Sequence, residues 1–247
     1  MFTFEVISAS ILLLASSAVL IACNYSALHP ILDYGKLIQG RDISSSKLKI
    51  LFNILVPKQW FYHFYTELLI LIIAKCLYFG RYPGLREVLL LIQGSRRLYE
   101  QLFVFPKSNA TMHLTHYAMG MLLYAIEAFY SPSESSYRCV AIILFIIGSM
   151  WQNSCHRALA GTKKYDIPQF PITSSYSALT TACPHYGAEL LIYIAFLIMN
   201  PSFIPVATVI WIAISLGTSG QRSKEYYNKK CTDTNTHIKW AIFPLIY

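Results

Sequence analysis

A series of long apolar blocks, separated by short polar segments, restricts the fold of this chain more than any other feature. About seven blocks approach the roughly 20 residues that an α-helix needs to cross a bilayer. They lie near residues 4–23, 60–80, 85–105, 112–131, 137–153, 186–200 and 202–218. Of the 247 residues, 55% are hydrophobic and only 13% are charged, which excludes a soluble domain. The sequence therefore predicts an all-α polytopic membrane protein of about seven transmembrane helices.

The first block, residues 4–23, has the length of either a retained helix or a secretory signal peptide. No basic segment precedes it, and it is long for a signal-peptide core, so we expect a retained helix. No internal repeat or low-complexity tract divides the chain. The sequence thus predicts a single integral membrane domain over residues 1–247. Because the fifth and sixth blocks are short, about six to eight spans are compatible with the pattern.

The six cysteines form no CxxC pair and have no metal-site spacing. Most lie in or beside apolar blocks, where a small core residue is the simpler interpretation, so we expect no metal. The sequence also lacks a GxGxxG turn after a strand, a P-loop, a GxSxG motif and an HExxH motif. Any nucleotide must therefore be bound by the helical bundle itself.

The net charge of +8 comes from basic residues in alternate loops, so orientation in a membrane explains it better than nucleic-acid binding does. The loops that share one side in a seven-span arrangement carry Lys36, Arg41, Lys47, Lys49, Lys58, Lys107, Arg157, Lys163, Lys164, Arg222, Lys224, Lys229, Lys230 and Lys239. Loops 131–136 and 200–205, on the other side, contain no lysine or arginine. Only Arg81 and Arg86 are exceptions. The positive-inside rule then predicts a lumenal N-terminus and a cytosolic C-terminus.

The third block contains two adjacent arginines and a glutamate, in the string IQGSRRLYEQLF. Ionisable groups inside a span are costly, so they indicate either a functional site or a structural ion pair. Glu100 is four residues after Arg96 and three after Arg97, so it can neutralise one of them while the other meets an anion. We expect Arg97 to meet the anion and Arg96 to pair with Glu100.

The second block begins with polar side chains, in the string WFYHFYTELLILI. His63 and Glu67 are four residues apart and share one helix face, with Tyr65 between them. This pattern indicates either an interfacial belt of aromatic residues or a proton donor at the mouth of a cavity. In the fourth block, His116 and Gly120 also share a face, and there close backbone packing is the expected role.

A polar segment follows the fifth block and leads into the sixth. Gln152 and His156 are one turn apart at the expected end of the fifth helix, and His185 and Glu189 are one turn apart at the start of the sixth. Lys163 and Lys164 lie between these pairs. Amide and basic groups at helix ends suit an anion such as a pyrophosphate or a 2′-phosphate. A solvated loop would explain the two lysines alone.

These strings, in this order and spacing, resemble the steroid 5α-reductase family, and within it the polyprenol (polyprenal) reductase branch. The similarity extends over most of the chain beyond the first block, with a family core over about residues 85–247. The matching strings are VPKQWFYHFY, GSRRLYEQLFV, HYAMG, WQNSCH, YDIPQ, CPHYGAELLIY and the ending KWAIFPLIY.

The resemblance implies seven helices in the endoplasmic reticulum membrane, enclosing a cavity for cofactor and lipid. It implies that NADPH binds from the cytosolic side and that the enzyme reduces a carbon–carbon double bond conjugated to a carbonyl. In this branch the substrate is a long-chain polyprenoid, reduced at its α-isoprene unit to supply dolichol for protein N-glycosylation. No nucleic acid and no obligate protein partner are implied.

Mapped by motif, the resemblance also implies individual roles. The cofactor contacts fall on Arg96, Arg97, Tyr99, Gln152, His156, Lys163, Lys164, Tyr165, His185 and Tyr227, with Tyr226 as an alternative to Tyr227. Glu189 matches a family glutamate. The steroid enzymes have a catalytic glutamate on helix two and a tyrosine before the helix-three arginine. His63 and Gly94 occupy those places here, so His63 or Tyr65 is expected to polarise the carbonyl.

Hydride addition needs an electron-poor carbon, which a plain allylic alcohol does not offer. An α,β-unsaturated aldehyde does, because the negative charge can spread into an enolate. We therefore expect polyprenal, reduced to dolichal, to be the chemical substrate. Two rivals remain: a steroid or enoyl-lipid reductase of the same family, and a non-catalytic transporter or scaffold. A transporter favours repeated halves, which are absent from the sequence.

Overall fold

The computed structural model describes residues 2–25, 54–132, 137–164, 181–230 and 238–243, and this part of the chain is mostly helical. Its α-helices are α1 (Phe2–Asn24), α2 (Phe61–Tyr78), α3 (Leu85–Tyr99), α4 (Leu114–Phe129), α5 (Arg138–Lys164), α6 (Pro184–Met199) and α7 (Phe203–Lys230). Helices α1, α2 with the turn before it, α5 and α7 are long and apolar enough to cross a membrane. A helical, multi-pass chain is thus confirmed, while the count of seven spans and the orientation of the termini stay predictions.

The chain folds as two compact units. The N-terminal unit comprises Met1–Ser8 and Ile21–Ser133, and the C-terminal unit comprises Ala9–Leu20 and Glu134–Tyr247. In the N-terminal unit, α2 packs against both α3 and α4. In the C-terminal unit, α6 packs against both α5 and α7. Each unit is therefore organised around one central helix.

A short β-ribbon in the N-terminal unit departs from the expected all-α fold. Strand β1 (Leu55–Pro57) pairs antiparallel with β2 (Thr111–His113), and Val56 lies opposite Met112. Both of these side chains are buried and cluster with Phe64 of α2. The ribbon thereby joins the chain just before α2 to the chain just before α4. Strands of three residues are too short to show the alternation that would have predicted them.

The third helix changes its hydrogen-bond pattern beside the two arginines. The α-helical part ends at Tyr99, and a π-helix follows over Glu100–Val104. The Phe105 amide donates to the Glu100 carbonyl, five residues earlier, at 2.9 Å. Because π-helical turns are rare and frequently occur at functional sites, this π-helix indicates that the two arginines just before it belong to a functional site.

Helices α5 and α7 are longer than the apolar blocks that predicted them. The fifth block was expected to end near residue 153, whereas α5 continues to Lys164, and α7 continues past residue 218 to Lys230. The prediction that Gln152 and His156 lie at the end of the fifth helix is therefore wrong. The fall in hydropathy at these residues suggested a helix end. Both side chains are instead buried within the helical packing, and α5 continues beyond them.

The described C-terminal segment, residues 238–243, lies alongside residues 181–183 at the start of α6. The amides of Ala182 and Cys183 donate to the carbonyls of Trp240 and Ala241, each at 2.9 Å. From α7, the Asn228 amide donates to the Ile238 carbonyl at 3.1 Å, and the Ile238 amide donates to the Asn228 Oδ1 at 2.9 Å. These bonds attach the segment to α7 and to the start of α6.

Ion pairs account for the two arginines that did not fit the charge pattern. At the beginning of α3, Arg86 pairs with Glu127 of α4, and both side chains are buried. Glu87 binds Arg81 at 2.6 Å and Lys75 of α2 at 2.7 Å. The hydrogen bond to Glu87 raises the pKa of Arg81. Both arginines therefore have carboxylate partners in the structure, and the orientation of the termini stays a prediction.

Candidate active site

The two arginines predicted from the sequence share one buried carboxylate. Glu100 has no exposed surface (0%) and binds both Arg96 and Arg97, the latter at 2.6 Å. The Arg96 Nη2 also donates to the Gln93 side-chain oxygen at 2.8 Å. The expectation that Glu100 would neutralise only one arginine is thus wrong, because the i,i+3 and i,i+4 positions are both within its reach. The three charged groups together carry a net charge of +1.

Arg97 also contacts a residue of α2. Its Nη2 donates to the Tyr65 hydroxyl at 2.8 Å, and its Cζ lies 5.1 Å from the centre of the Tyr65 ring. Tyr65 is only 4% exposed. A Cβ at Gly94 would lie 3.2 Å from Leu68, so this glycine lets α3 approach α2 closely. The structure therefore brings together two predicted site residues from different helices.

His63 belongs to a different polar group, on another face of α2. Its Nδ1 is hydrogen-bonded to the Tyr117 hydroxyl of α4 at 3.1 Å. The Trp60 ring packs at 5.5 Å from the His63 ring and at 5.6 Å from the Tyr117 ring. Helix geometry sets His63 and Tyr65 about 200° apart around the axis. The two expected carbonyl-polarising groups consequently cannot contact the same substrate oxygen.

The accessibility of these two groups differs. Tyr65 is buried and its hydroxyl already accepts a hydrogen bond from Arg97, whereas His63 is half-buried. Glu67 lies one turn after His63, about 40° away around the helix axis, so it shares the His63 face. Its Oε2 is buried without a hydrogen-bond partner within the described ranges. The face of α2 with His63 thus offers an imidazole and a carboxyl group together.

Tyr99 is more exposed to solvent than Arg96 and Arg97 are. Its side chain is 55% exposed, and its ring packs 5.4 Å from the ring of Phe103 in the π-helix. The arginines, in contrast, are only partly exposed. The structure thus gives Tyr99 an exposed aromatic contact, and its assignment to the cofactor stays a prediction.

The C-terminal unit brings four predicted residues together between α5 and α6. The Gln152 side-chain amide donates to the Glu189 carboxylate, and the His156 ring centre lies 5.5 Å from that of His185. Gln152 is fully buried and His156 is 3% exposed. A Cβ at Gly148 would lie 2.9 Å from an α6 side chain, which shows how closely the two helices pack. The i,i+4 spacing within each helix places both pairs on facing sides.

The remaining predicted residues are placed only in part. Tyr227 is half-buried and packs on the cluster of Ala182, Cys183 and Ile238, at the start of α6. Lys163 and Lys164 lie in the last turn of α5, but the description does not extend to their side chains. Tyr165 lies outside the described residues. The assignments of these residues stay predictions.

Sequence reasoning missed two residues of the N-terminal unit. Gln93 supports Arg96 from the preceding turn, and the i,i+3 spacing was a signal that could have identified it. Tyr117 forms the hydrogen bond to His63, and no local pattern could have paired residues that are 54 positions apart. The sequence showed only that Tyr117 follows His116 at the start of a helix.

Comparisons with known proteins identify the family of this chain. The model of the 3-oxo-5-alpha-steroid 4-dehydrogenase family matches residues 98–247. A polyprenal reductase of Saccharomyces cerevisiae is 31% identical over 233 residues, covering 90% of this chain and 87% of that protein. The chain belongs to the steroid 5α-reductase family. It is therefore an oxidoreductase, and the resemblance found in its motifs is confirmed.

Other relatives within the family are more distant. A polyprenal reductase of Xenopus laevis is 27% identical, over 64% of this chain and 57% of that protein. An uncharacterized protein of Schizosaccharomyces pombe is 26% identical, over 78% of each chain. Members of the family need a reductant, which indicates a nicotinamide cofactor in general terms. The names of these relatives do not assign roles to individual residues of this chain.

Proposed function

We propose that this oxidoreductase uses NADPH to reduce the α-isoprene double bond of a long-chain polyprenal, giving dolichal. The substrate class is suggested by the relatives named polyprenal reductase. The observation that carries the mechanism is the hydrogen bond from Arg97 to Tyr65, because it fixes an anion-binding guanidinium beside α2. That helix also presents His63 on another face.

The arginine group fits the phosphates of NADPH in its chemistry. Two guanidinium groups face one carboxylate, so the group carries one positive charge in excess. Each planar guanidinium has several donors and can bind a phosphate in a bidentate manner while it keeps a protein partner. The buried Glu100 and the Tyr65 hydroxyl would orient Arg97 before the cofactor arrives. When bound, NADPH supplies a hydride to the substrate.

Polyprenal, rather than polyprenol, has the electronic structure that accepts this hydride. The hydride adds to the β-carbon, the electron pair of the double bond moves toward the carbonyl, and an enolate oxygen develops. A donor aimed at that oxygen lowers the barrier. We assign this role to His63, because it is accessible and the Tyr117 hydroxyl holds its Nδ1, which leaves Nε2 to face the substrate.

Tyr65 then acts as a positioning residue for Arg97 instead of as the polarising group. It is nearly inaccessible, and it lies on another face of α2 than His63. The alternative, with Tyr65 at the carbonyl oxygen, predicts a loss of kcat rather than of NADPH affinity when the Tyr65 hydroxyl is removed.

The C-terminal unit contributes a separate buried cluster of hydrogen-bonding side chains. The family motif assigns cofactor contacts to Gln152, His156 and His185, whose side chains can hydrogen-bond to the amide and hydroxyl groups of a nucleotide. Glu189 would orient the Gln152 amide through their hydrogen bond. Replacement of His185 by alanine tests this cluster independently of the arginines.

The proposal includes a location and a metabolic role. The apolar helices and the branch of the family suggest the endoplasmic reticulum membrane, with the active site toward the cytosolic side. The isoprenoid tail would remain in the bilayer while the aldehyde reaches the polar groups. Dolichal would then be reduced to dolichol, which supports protein N-glycosylation, and no protein partner is needed for this chemistry.

A direct experiment supplies purified protein with polyprenal or polyprenol and NADPH in separate reactions. We expect turnover of the aldehyde and little turnover of the alcohol. Equal or faster turnover of the alcohol would contradict the proposed chemistry. A steroid enone in a third reaction tests the rival reductase activity, and failure of the purified protein to bind NADPH would favour a non-catalytic transporter or scaffold.

A second experiment tests the site residues in cells. The gene is deleted and restored with wild-type, Arg97→Ala or His185→Ala protein, and the isoprenoid pool is measured by mass spectrometry. We expect dolichol to return only with the wild-type protein. The exposed Arg138 provides a matched control, so Arg138→Ala should restore dolichol. Full restoration by both site variants would reject the site assignments.

A further inference from the structure

Glu67 differs from the other acidic residues around it in having no cation partner. The described residues 54–132 contain four glutamates and no aspartate. Glu87, Glu100 and Glu127 each form ion pairs with lysine or arginine. Within the described residues, Glu67 forms none, and its Oε2 is buried without a hydrogen-bond partner. Among the glutamates of residues 54–132, Glu67 is therefore the one for which the structure shows no ion pair.

The position of Glu67 favours its neutral, proton-carrying form. It lies in the second turn of α2, one of the helices that are apolar and long enough to cross a membrane. An unpaired carboxylate in such surroundings costs several kcal/mol, and protonation removes that cost. Residues of this kind in a span commonly mark a proton relay or a substrate path. A stored proton is the chemical property that this residue offers.

The surroundings of Glu67 provide a route by which that proton can be replaced. His63 lies one turn nearer the start of α2, and its Nδ1 is hydrogen-bonded to the Tyr117 hydroxyl at 3.1 Å. Tyr117 lies within electrostatic range of Glu67. Both His63 and Tyr117 are half-buried, and the Trp60 ring beside them is exposed at the same end. Two groups that can exchange protons, His63 and Tyr117, therefore lie between the exposed helix ends and Glu67.

We propose that Glu67 is the proton donor to the α-carbon in the reduction, and that it is recharged from solvent through His63 and Tyr117. The inference rests on the proposed function. His63 and Glu67 share one face of α2 at a one-turn spacing, where side chains are about 5–6 Å apart at Cβ. This spacing suits a substrate whose carbonyl oxygen contacts His63 and whose α-carbon, two bonds away, faces Glu67.

The step balances in atoms and charge. As a C–H bond of NADPH breaks and NADPH is oxidised to NADP+, its hydride would form a C–H bond at the β-carbon, and the electron pair of the double bond would shift to give the enolate. The O–H bond of Glu67 then breaks, the proton forms a C–H bond at the α-carbon, and the carbonyl is restored. Glu67 is left as a carboxylate, which takes up a solvent proton through the His63–Tyr117 pair before the next turnover.

The test compares wild-type protein with Glu67→Gln, which keeps the size of the side chain and removes the acid. We expect kcat for polyprenal to fall about 100-fold, within the range for loss of a general acid. NADPH affinity should stay within about twofold, since the arginine group is on another face. Glu67→Asp should recover part of kcat. A variant within twofold of wild-type kcat would overturn the inference.

A second measurement separates catalysis from folding. In D₂O, wild-type protein should deliver deuterium to one face of the α-carbon, whereas Glu67→Gln should give a mixture, because water replaces the fixed donor. Since Oε2 has no hydrogen-bond partner among the described residues, Glu67→Gln and Glu67→Leu should keep the melting temperature of the wild type. Wild-type facial selectivity in Glu67→Gln would overturn the inference. Failure of the wild-type protein to reduce polyprenal would instead reject the proposed function.

Discussion

The replacement of Tyr65 by phenylalanine distinguishes the two roles that this residue can have. The change removes one oxygen atom and keeps the ring that packs 5.6 Å from Tyr124 and 5.1 Å from the Arg97 guanidinium carbon. It removes the Tyr65 hydroxyl oxygen, which accepts a hydrogen bond from the Arg97 Nη2 at 2.8 Å. Arg97 keeps its ion pair with Glu100 and its contact with the ring, but it loses the hydrogen bond that fixes it to α2.

The size of the effect follows from the kind of bond that is lost. A hydrogen bond to a charged group contributes about 1.5–3 kcal/mol, and about 1.4 kcal/mol corresponds to a tenfold change in affinity. We therefore expect NADPH to bind about 10- to 100-fold more weakly to Tyr65→Phe. At saturating NADPH, kcat should change less than threefold or so, because His63 still contacts the carbonyl oxygen.

The assay is NADPH titration by calorimetry together with steady-state turnover of polyprenal. Tyr130→Phe is the matched control, because Tyr130 is also buried beneath an arginine, with its ring centre 4.8 Å from the Arg86 Cζ. The Arg86 Nη1 donates to the Tyr130 backbone carbonyl at 3.3 Å, a bond that Tyr130→Phe keeps, so NADPH affinity should be unchanged. A 100-fold loss of kcat in Tyr65→Phe with unchanged NADPH affinity would refute this reasoning and make Tyr65 the polarising group.

Three further substitutions test other parts of the structure. Glu100→Gln leaves two guanidinium groups without their carboxylate, so the free energy of unfolding should fall by about 3 kcal/mol, and added pyrophosphate should restore part of the lost melting temperature. Gln152→Leu should cost about 1–3 kcal/mol, and much of this loss should disappear when Glu189→Leu is added, a coupling that a double-mutant cycle measures. Gly120→Ala should lower the free energy of unfolding by about 1–3 kcal/mol, because the added methyl group would lie 2.6 Å from an aromatic ring of α2. Gly161→Ala is the control and should not lower it, because no atom lies within 4 Å of the added carbon. Equal melting temperatures of the two variants would contradict this.

The positions of the helices could be predicted because apolar blocks report on burial in lipid or protein. Each block overlaps one α-helix of the structure. The ends of α5 and α7 could not be predicted, because hydropathy falls wherever polar residues begin, whereas the backbone hydrogen bonds of a helix can continue through polar residues. The β-ribbon and the π-helix depend on contacts and hydrogen bonds that short sequence windows do not show.

The site could be predicted in its residues better than in its pairings. Spacing along one helix identified Arg96, Arg97 and Glu100 as a group. Spacing could not show that Arg97 contacts Tyr65, because that bond depends on which face of α2 meets α3 and on the close approach at Gly94. The unusual position of the Glu67 carboxyl group likewise becomes visible only when the partners of the other described glutamates are known.

The central claim is that hydride is added to the carbon–carbon double bond of polyprenal and not to its carbonyl. NADPH carrying deuterium at both C4 positions, supplied with polyprenal and purified protein, tests this claim most directly. Mass spectrometry and NMR of the product should locate a single deuterium on the β-carbon of the α-isoprene unit, in dolichal. Deuterium on the former aldehyde carbon, in polyprenol, or a product without deuterium would contradict the account.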